Sequence, residues 1–323
     1  MSRHKFRRGL HLPISGEPVQ TVEAALPTRY VALVAADYVG LRPTMHVSVG
    51  DTVLRGQLLF EDKTTPGVRY TAPSAGTVAA IHRGARRVLQ SVVIEQSRAE
   101  RERREPEASA FRTFSGRHPS GLSDDDVRAL LVESGQWVAL RSRPYSRVAD
   151  PTTRPHSIFV TATDTNPLAP AIDAVVAGRV AAFDRGLAAL SRLTDGPVFV
   201  CTGPETVLKV PESDQIRHEV FEGPHPAGTV GLHIHTLDAV DRSKVVWHTG
   251  VQDTVAIGRL FETGTVEMSR IISLGGPPVS HPRLLRTRIG ASVDELVAHD
   301  VEVGAGLRLI SGSVFSGRRA TGE

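Results

Sequence analysis

Cysteine is almost missing: the 323-residue chain has one, Cys201. A single thiol closes no disulfide within the chain and cannot supply the four thiolates of an iron–sulfur cluster. Cys201 follows "GPVFV", which reads as buried strand, so an inert thiol is expected. Aromatic residues are only 5% of the chain against 40% hydrophobic residues, so its cores must be built mainly from Val, Leu, Ile and Ala. No apolar run reaches the roughly 18 residues of a membrane span. The opening "MSRHKFRRGLHLPISG" is basic but holds no apolar segment of roughly 7–15 residues, so no secretion signal is read there and a cytoplasmic protein is expected. Neither sign of charge dominates. With 38 basic and 35 acidic residues the net charge is +3, too balanced to argue for nucleic acid. The basic excess is local, in "RHKFRR" (3–8), "HRGARR" (82–87) and "RTRIG" (286–290). Each patch is read first as solvated surface, the alternative being a contact for an acidic protein or an anionic lipid surface.

At about 100–200 residues per domain the length suggests two or three units. Residues 1–100 read as a small β module, with short alternating stretches such as "HVSVGDTV" and "GTVAAIHRG" punctuated by Gly50, Gly56, Gly67, Gly76 and Gly84. The charge-dense "SRAERERREPEAS" (97–109) holds no core residues and contains a proline, and residues 101–122 read as a linker or exposed excursion. Residues 123–262 alternate strand and helix, the βαβ pattern of a parallel sheet covered on both faces. Ser123 is the expected cap of a helix that buries Val127, Leu130 and Leu131, and Gly178 marks a joint between two helices. Residues 263–323 place strands around one short helix capped by Ser292 and Glu295, a β-grasp pattern. The fold class is therefore mixed α+β and α/β, in several domains.

"VGDTVLRGQLLFEDK" with "TAPSAGTV" has both ends of a biotinyl or lipoyl hairpin. The middle differs. Lys63 lies between Asp62 and Thr64, and the loop is long, with Pro66-Gly67 at its tip. The fold of a carrier is expected, a barrel-sandwich hybrid, without the covalent cofactor. "GPHPAGTVGLHIH" sets His225, His233 and His235 close together, the last two on one face of an expected strand. No carboxylate or cysteine completes a tetrahedral metal set, so structural hydrogen bonding is preferred over a metal. Ser91 and Ser311 have no triad partners in sight.

"GLHLPISG", "YVGLRPTMHVSVGD", "SGQWVALRSRPYS", "FVTATDTNPLA", "FEGPHPAGTVGLHIH" and "LGGPPVSHPRLLRTRIGAS", in this order along nearly the whole chain, resemble the A-subunit family of sodium-translocating NADH:quinone oxidoreductases. The resemblance implies a peripheral subunit on the cytoplasmic side of the bacterial inner membrane. Its partners would be the other subunits of a pump that couples NADH oxidation and ubiquinone reduction to Na⁺ export. It also implies a Rossmann-like middle domain related to the flavoprotein of respiratory complex I, an SLBB-like β-grasp domain, and a C-terminal helical domain that this chain would lack.

In flavin-binding relatives a glycine-rich loop cradles the phosphate. Here "ESGQWVALRSRP" keeps only Gly135, and Trp137 and Leu140 would fill the space of the ring. Of an acidic pair near the nucleotide, Asp164 stands at the first position and Asn166 at the second. A degenerate site without FMN is thus expected, with no catalytic residue, no redox centre and no metal. The other reading is a flavin- or NADH-binding oxidoreductase subunit of an Rnf-like electron-transfer complex. Ubiquinone is the remaining ligand to consider, and a quinone slot needs apolar walls and hydrogen-bond donors. The candidates are Tyr38, Leu41, Met45 and His46 in one stretch, and Trp137, Arg141, Arg143 and Tyr145 in another.

Overall fold

A computed structural model describes residues 1–102, 104, 107–211, 213–301 and 306–320. Two small sheets face each other in the first unit. One runs in the order Tyr30–Val34, Leu89–Gln96, Gly76–Arg83, Thr52–Val53, and the other Pro43–Met45, Leu58–Asp62, Arg69–Thr71. Alternation decides which side chains go in. Val31, Val78, Val92 and Ile94 from one sheet meet Leu59, Phe60 and Tyr70 from the other, all almost fully buried. The long hairpin tip after Asp62 is built on that buried carboxylate, which accepts the Arg42 N–H at 3.1 Å, the Thr64 N–H at 2.9 Å and the Thr64 hydroxyl at 2.8 Å. Lys63 is left exposed.

The middle unit is a seven-stranded sheet in the order Ser2–Lys5, Ile216–Glu222, Val198–Thr202, Ile158–Ala162, Val246–Gly250, Arg141–Arg143, Arg147–Val148. The first five strands are parallel and the last two antiparallel. Ile158–Val160 and Val198–Cys201 are buried on both faces, as near-continuous apolar strands of a covered parallel sheet should be. Helices Val180–Arg192 and Val251–Thr263 cover one face and lie unusually close together. A Cβ on Gly186 would sit 2.0 Å from the Thr254 carbonyl oxygen, and one on Gly258 would sit 1.7 Å from that of Ala182. On the other face, helix Val230–Leu237 brings Ile234 against Phe159, Phe199, Cys201 and Phe221.

The segment containing His233 and His235 is thus a helix and not the expected strand. Two residues apart on a helix means about 200° apart, so the two rings face different ways. His233 is buried and His235 exposed.

The third unit pairs Ser269–Leu274 with Arg283–Arg288, adds helix Val293–Val297 and ends in the hairpin Ile310–Ser311 with Arg318–Arg319. Its sheet is completed from the far end of the chain, because Val19–Ala24 pairs in parallel with Arg283–Arg288. The sequence assigns residues 1–100 to a single module. Instead, Ser2–Lys5 becomes an edge strand of the middle sheet and Val19–Ala24 a strand of the third unit.

The linker expected over 101–122 also differs. Its approach is a short helix, Arg98–Arg101, whose Glu100 is buried. Glu100 pairs with Arg288 of the third unit at 2.7 Å and Arg55 of the barrel at 3.5 Å, and accepts the Ala75 N–H at 3.2 Å. Burial holds the Arg55 guanidinium below its ordinary range, against the opposing pull of Glu100. Beyond it Ala108 bridges Arg55 and Phe111 enters the core, so the stretch is anchored to the barrel at these two points, while Arg112, Thr113 and residues 115–118 are exposed.

Removing one partner of a buried pair leaves the other charge uncompensated. Glu100→Gln should therefore lower unfolding stability by on the order of 3 kcal/mol, seen as a lower urea midpoint. An unchanged midpoint would show that the pair does not tie the units together.

Candidate functional site

In the middle sheet, Ile158–Ala162 and Val246–Gly250 are neighbours, in register from Ile158↔Trp247 to Thr161↔Gly250. The strands that follow Ile158–Ala162 build outward on its other side, so the order reverses between these two. In open α/β sheets the crevice at the carboxyl ends of such a pair is where ligands bind. Gly250 ends one strand and is the N-cap of helix Val251–Thr263, the position at which a nucleotide phosphate would meet bare backbone N–H groups.

Here that helix start is latched to the third unit. The Gln252 side-chain amide donates to the Ile271 carbonyl at 2.9 Å, and its carbonyl accepts the Ile271 N–H at 2.8 Å. Asp253 in the same turn pairs with Arg270. A carboxylate already occupies the electropositive end that an anion would need.

A cavity of about 260 Å³ remains where the three units meet. Leu33, Tyr38, Tyr70 and Thr71 line it from the barrel, Gly135, Arg141, His248 and Asp253 from the middle unit, and Met268, Arg270 and Ile289 from the third. The Arg141 guanidinium lies 4.9 Å from the centre of the Tyr38 ring, which meets Tyr70 edge-on at 4.7 Å. Burial pushes the Tyr38 hydroxyl up to about 12, with Arg141 pulling the other way, so it stays a protonated donor. Burial also raises Tyr70. His248 sits beside Arg141 across the strand pair and accepts from Arg143 Nε at 3.2 Å, which places the ring proton on Nδ1. Burial, with Arg143 and Arg141 adding, lowers His248 to about 3, so the ring is neutral at physiological pH.

Of the residues singled out from sequence, the cavity gathers Tyr38, Arg141 and Gly135. Leu41 and Met45 are half-buried against the barrel core, and His46 is exposed with Glu61 at 3.4 Å. Trp137 is wholly buried, donates its indole N–H to the Ala149 carbonyl at 2.7 Å and meets Trp247 edge-on at 5.4 Å. It is a core residue of the middle unit. Arg143 serves His248, and Tyr145 is 75% exposed. Asp164 and Asn166 close on each other, the Asp164 carboxylate accepting the Asn166 N–H at 2.9 Å and its side-chain amide at 2.6 Å.

Gly135 has a local reason to be glycine. It takes φ +75°, and a Cβ there would lie 2.5 Å from the Thr71 hydroxyl, which itself donates to the Ser134 carbonyl at 2.9 Å. The barrel thus packs into the corner that a phosphate loop would leave open. Sequence reasoning misses His248, Asp253 and Arg270. The available signal is "WHTGVQDTV", a strand end, a glycine cap and an acidic first turn in succession.

The three histidines of the expected cluster stay apart. His225 stacks on Phe315 at 4.7 Å and shares a hydrogen bond with Thr165 at 3.2 Å. His233 donates from Nε2 to the Ala227 carbonyl at 2.9 Å, and burial lowers it to about 4. Among the described residues no group of three or more His, Cys, Asp or Glu could hold a metal ion. Cys201 is buried, and burial pushes its thiol well above the ordinary value.

His248 and His233 both titrate lower in the fold than the roughly 6.5 of an unfolded chain. Between about pH 6.5 and about pH 4 the unfolded state then binds protons that the native state refuses, so stability falls as pH falls through this window. The urea midpoint should drop from about pH 7 to about pH 5, each histidine contributing on the order of 1–2 kcal/mol. A His248→Gln variant, which keeps an acceptor for Arg143, should lose less over the same range. An identical loss would show that His248 has no part in it.

Three family models cover the chain in order. They are the NqrA N-terminal barrel-sandwich hybrid domain over residues 4–97, the NqrA second alpha/beta domain over 122–266 and the NQRA C-terminal domain over 271–322. The chain is 49% identical over 318 residues to the A subunit of the Na(+)-translocating NADH-quinone reductase of Alcanivorax borkumensis, covering 98% of this chain and 69% of that one. The corresponding protein of Cellvibrio japonicus is 48% identical over 99% of this chain and 70% of its own length. That of Pseudomonas aeruginosa is 50% identical over 98% and 69%. An NAD⁺-reducing [NiFe]-hydrogenase aligns over 60% of the chain and 41% of its own with a TM-score of 0.40 and 12% identity, a likeness too slight to bear on the chemistry. The chain belongs to the NqrA family, the A subunits of Na(+)-translocating NADH-quinone reductases.

Proposed function

We propose that the chain is a scaffold on the cytoplasmic side of its reductase complex, docking other subunits and carrying no redox centre of its own. The observation that carries this reading is the closed switch-point crevice. Gln252 and Asp253 latch the helix start to Ile271 and Arg270, and Thr71 fills the corner at Gly135. The cavity left at the helix start, about 260 Å³, is below the roughly 300–1,000 Å³ of pockets for drug-sized ligands. Among the described residues no helix is long and apolar enough to cross a membrane, which suits a peripheral subunit.

Quinone contact is a second reading, favoured by one feature: Tyr38 and Arg141, both hydrogen-bond donors, stand together on a cavity that Leu33, Met268 and Ile289 also line. Their donors would meet the carbonyl oxygens of a quinone ring. The prenyl tail would have to lie outside.

Two outcomes are expected. The purified chain should co-purify with other subunits of the complex and show no flavin band near ~450 nm. A stoichiometric flavin spectrum would favour the Rnf-like, flavin-binding alternative. In the assembled complex, Tyr38→Phe should raise the KM for quinone by roughly 3–10-fold, the worth of one hydrogen bond. The isolated chain should bind quinone weakly. Tight binding of one quinone per chain, measured by calorimetry and lost in Trp137→Ala, would place the ligand inside the packed core of the middle unit.

A further inference from the structure

The barrel has a basic end. Strand Tyr30–Val34 stops beside Ser91, so the crossover 35–42 leaves from the same end as the 84–88 hairpin tip. The crossover then delivers Arg42, whose carbonyl accepts the Lys63 N–H at 2.8 Å, to the 63–67 tip. Gly40 in this crossover abuts Arg147 of the middle unit, 3.5 Å from where a Cβ would be. One surface therefore collects Arg42, Lys63, Arg83, Arg86, Arg87 and Arg147, all exposed. Among the described residues none of the six has a carboxylate partner. The local acids are engaged elsewhere, Asp37 with Arg318 and Asp62 with the backbone of its own turn.

Apolar side chains stand among these charges. Val39 is 53% exposed, Val88 63% and Tyr145 75%, the last within 6.0 Å of the Arg147 guanidinium. At the 84–88 tip Arg86 and Arg87 hold φ of 55° and 59°, a left-handed conformation unfavourable for non-glycine residues and more frequent at functional sites.

We propose that this end is the face by which the chain lies on an anionic lipid surface. The cations meet lipid phosphates, and Val39, Val88 and Tyr145 enter the headgroup layer. The arrangement favours a lipid surface over an acidic protein. The charges sit on separate exposed tips with apolar side chains spaced among them, and a plane of phosphates meets all the tips at once. A tyrosine flanked by arginines is also the composition of a membrane interface. The hairpin that presents the modified lysine in a carrier domain would here present Lys63 to lipid as a cation. This deepens the peripheral placement proposed above, but its test uses the chain alone, so a failure of co-purification and a failure of lipid binding are separate results.

The test is co-sedimentation of the full chain with vesicles of phosphatidylglycerol and phosphatidylethanolamine, and with vesicles of phosphatidylcholine. Binding is expected to the first only, and should weaken with salt. Arg86→Gln with Arg87→Gln should lower the partition coefficient roughly 25-fold, about fivefold per cation, and Lys63→Gln about fivefold more. Melting temperatures of the variants should match the parent. Arg3→Gln with Lys5→Gln removes basic residues that pair with Glu222, and should leave binding unchanged. Equal binding to phosphatidylcholine, no binding to either vesicle, or undiminished binding by the Arg86/Arg87 variant would overturn the proposal. So would loss of other subunits, with vesicle binding intact, in that variant, which would assign the patch to an acidic protein.

Discussion

The contact between the start of helix Val251–Thr263 and strand Ser269–Leu274 decides what this fold can do. A helix N-terminus at the switch point of a parallel sheet is by default an anion site. Gln252 turns it into a strand-like partner for Ile271, giving and receiving one hydrogen bond, and Asp253 neutralises it while fixing Arg270. The third unit is thereby seated over the crevice. The barrel closes the remaining side through Thr71 at Gly135 and Tyr38 at Arg141. A nucleotide would have to displace a carboxylate, the two hydrogen bonds between the Gln252 side chain and the Ile271 backbone, and a packed hydroxyl together.

The same closure depends on chain threading. Ser2–Lys5 and Val19–Ala24 belong to the middle and third sheets, and Glu100 lies between Arg55 and Arg288. Each connection joins parts of the molecule that are remote in sequence, 188 residues in the case of Glu100 and Arg288. The units are therefore poorly suited to opening and closing as separate lobes. That suits the scaffold role proposed above.

How much of this is legible in the sequence depends on whether the cause is local. The barrel follows from glycines at turns and from alternation in "HVSVGDTV" and "GTVAAIHRG". The Ser123 cap, with its capping box to Asp126, and the break at Gly178 between two helices are local too. Long-range pairing is not legible. Nothing in "VQTVEA" names Arg283–Arg288 as its parallel neighbour, and Glu100 looks solvated because its partners are distant. "TVGLHIHTL" misleads because apolar and polar residues alternate as in a strand, while Ile234 and His233 are buried from a helix against the Phe159–Phe199 face. At the site, residue type alone singles out Tyr38 and Arg141. It also singles out Trp137, whose indole serves Ala149 inside the core. His248 and Asp253 gain their roles only from neighbours distant in sequence.

The most direct test of the closed crevice is a crystal structure of the chain grown with excess FMN. The account predicts an intact Gln252–Ile271 pair, the Asp253–Arg270 contact in place, and no flavin between the units. Isoalloxazine density beside Gly135, with the Arg270 strand lifted from the helix start, would contradict it.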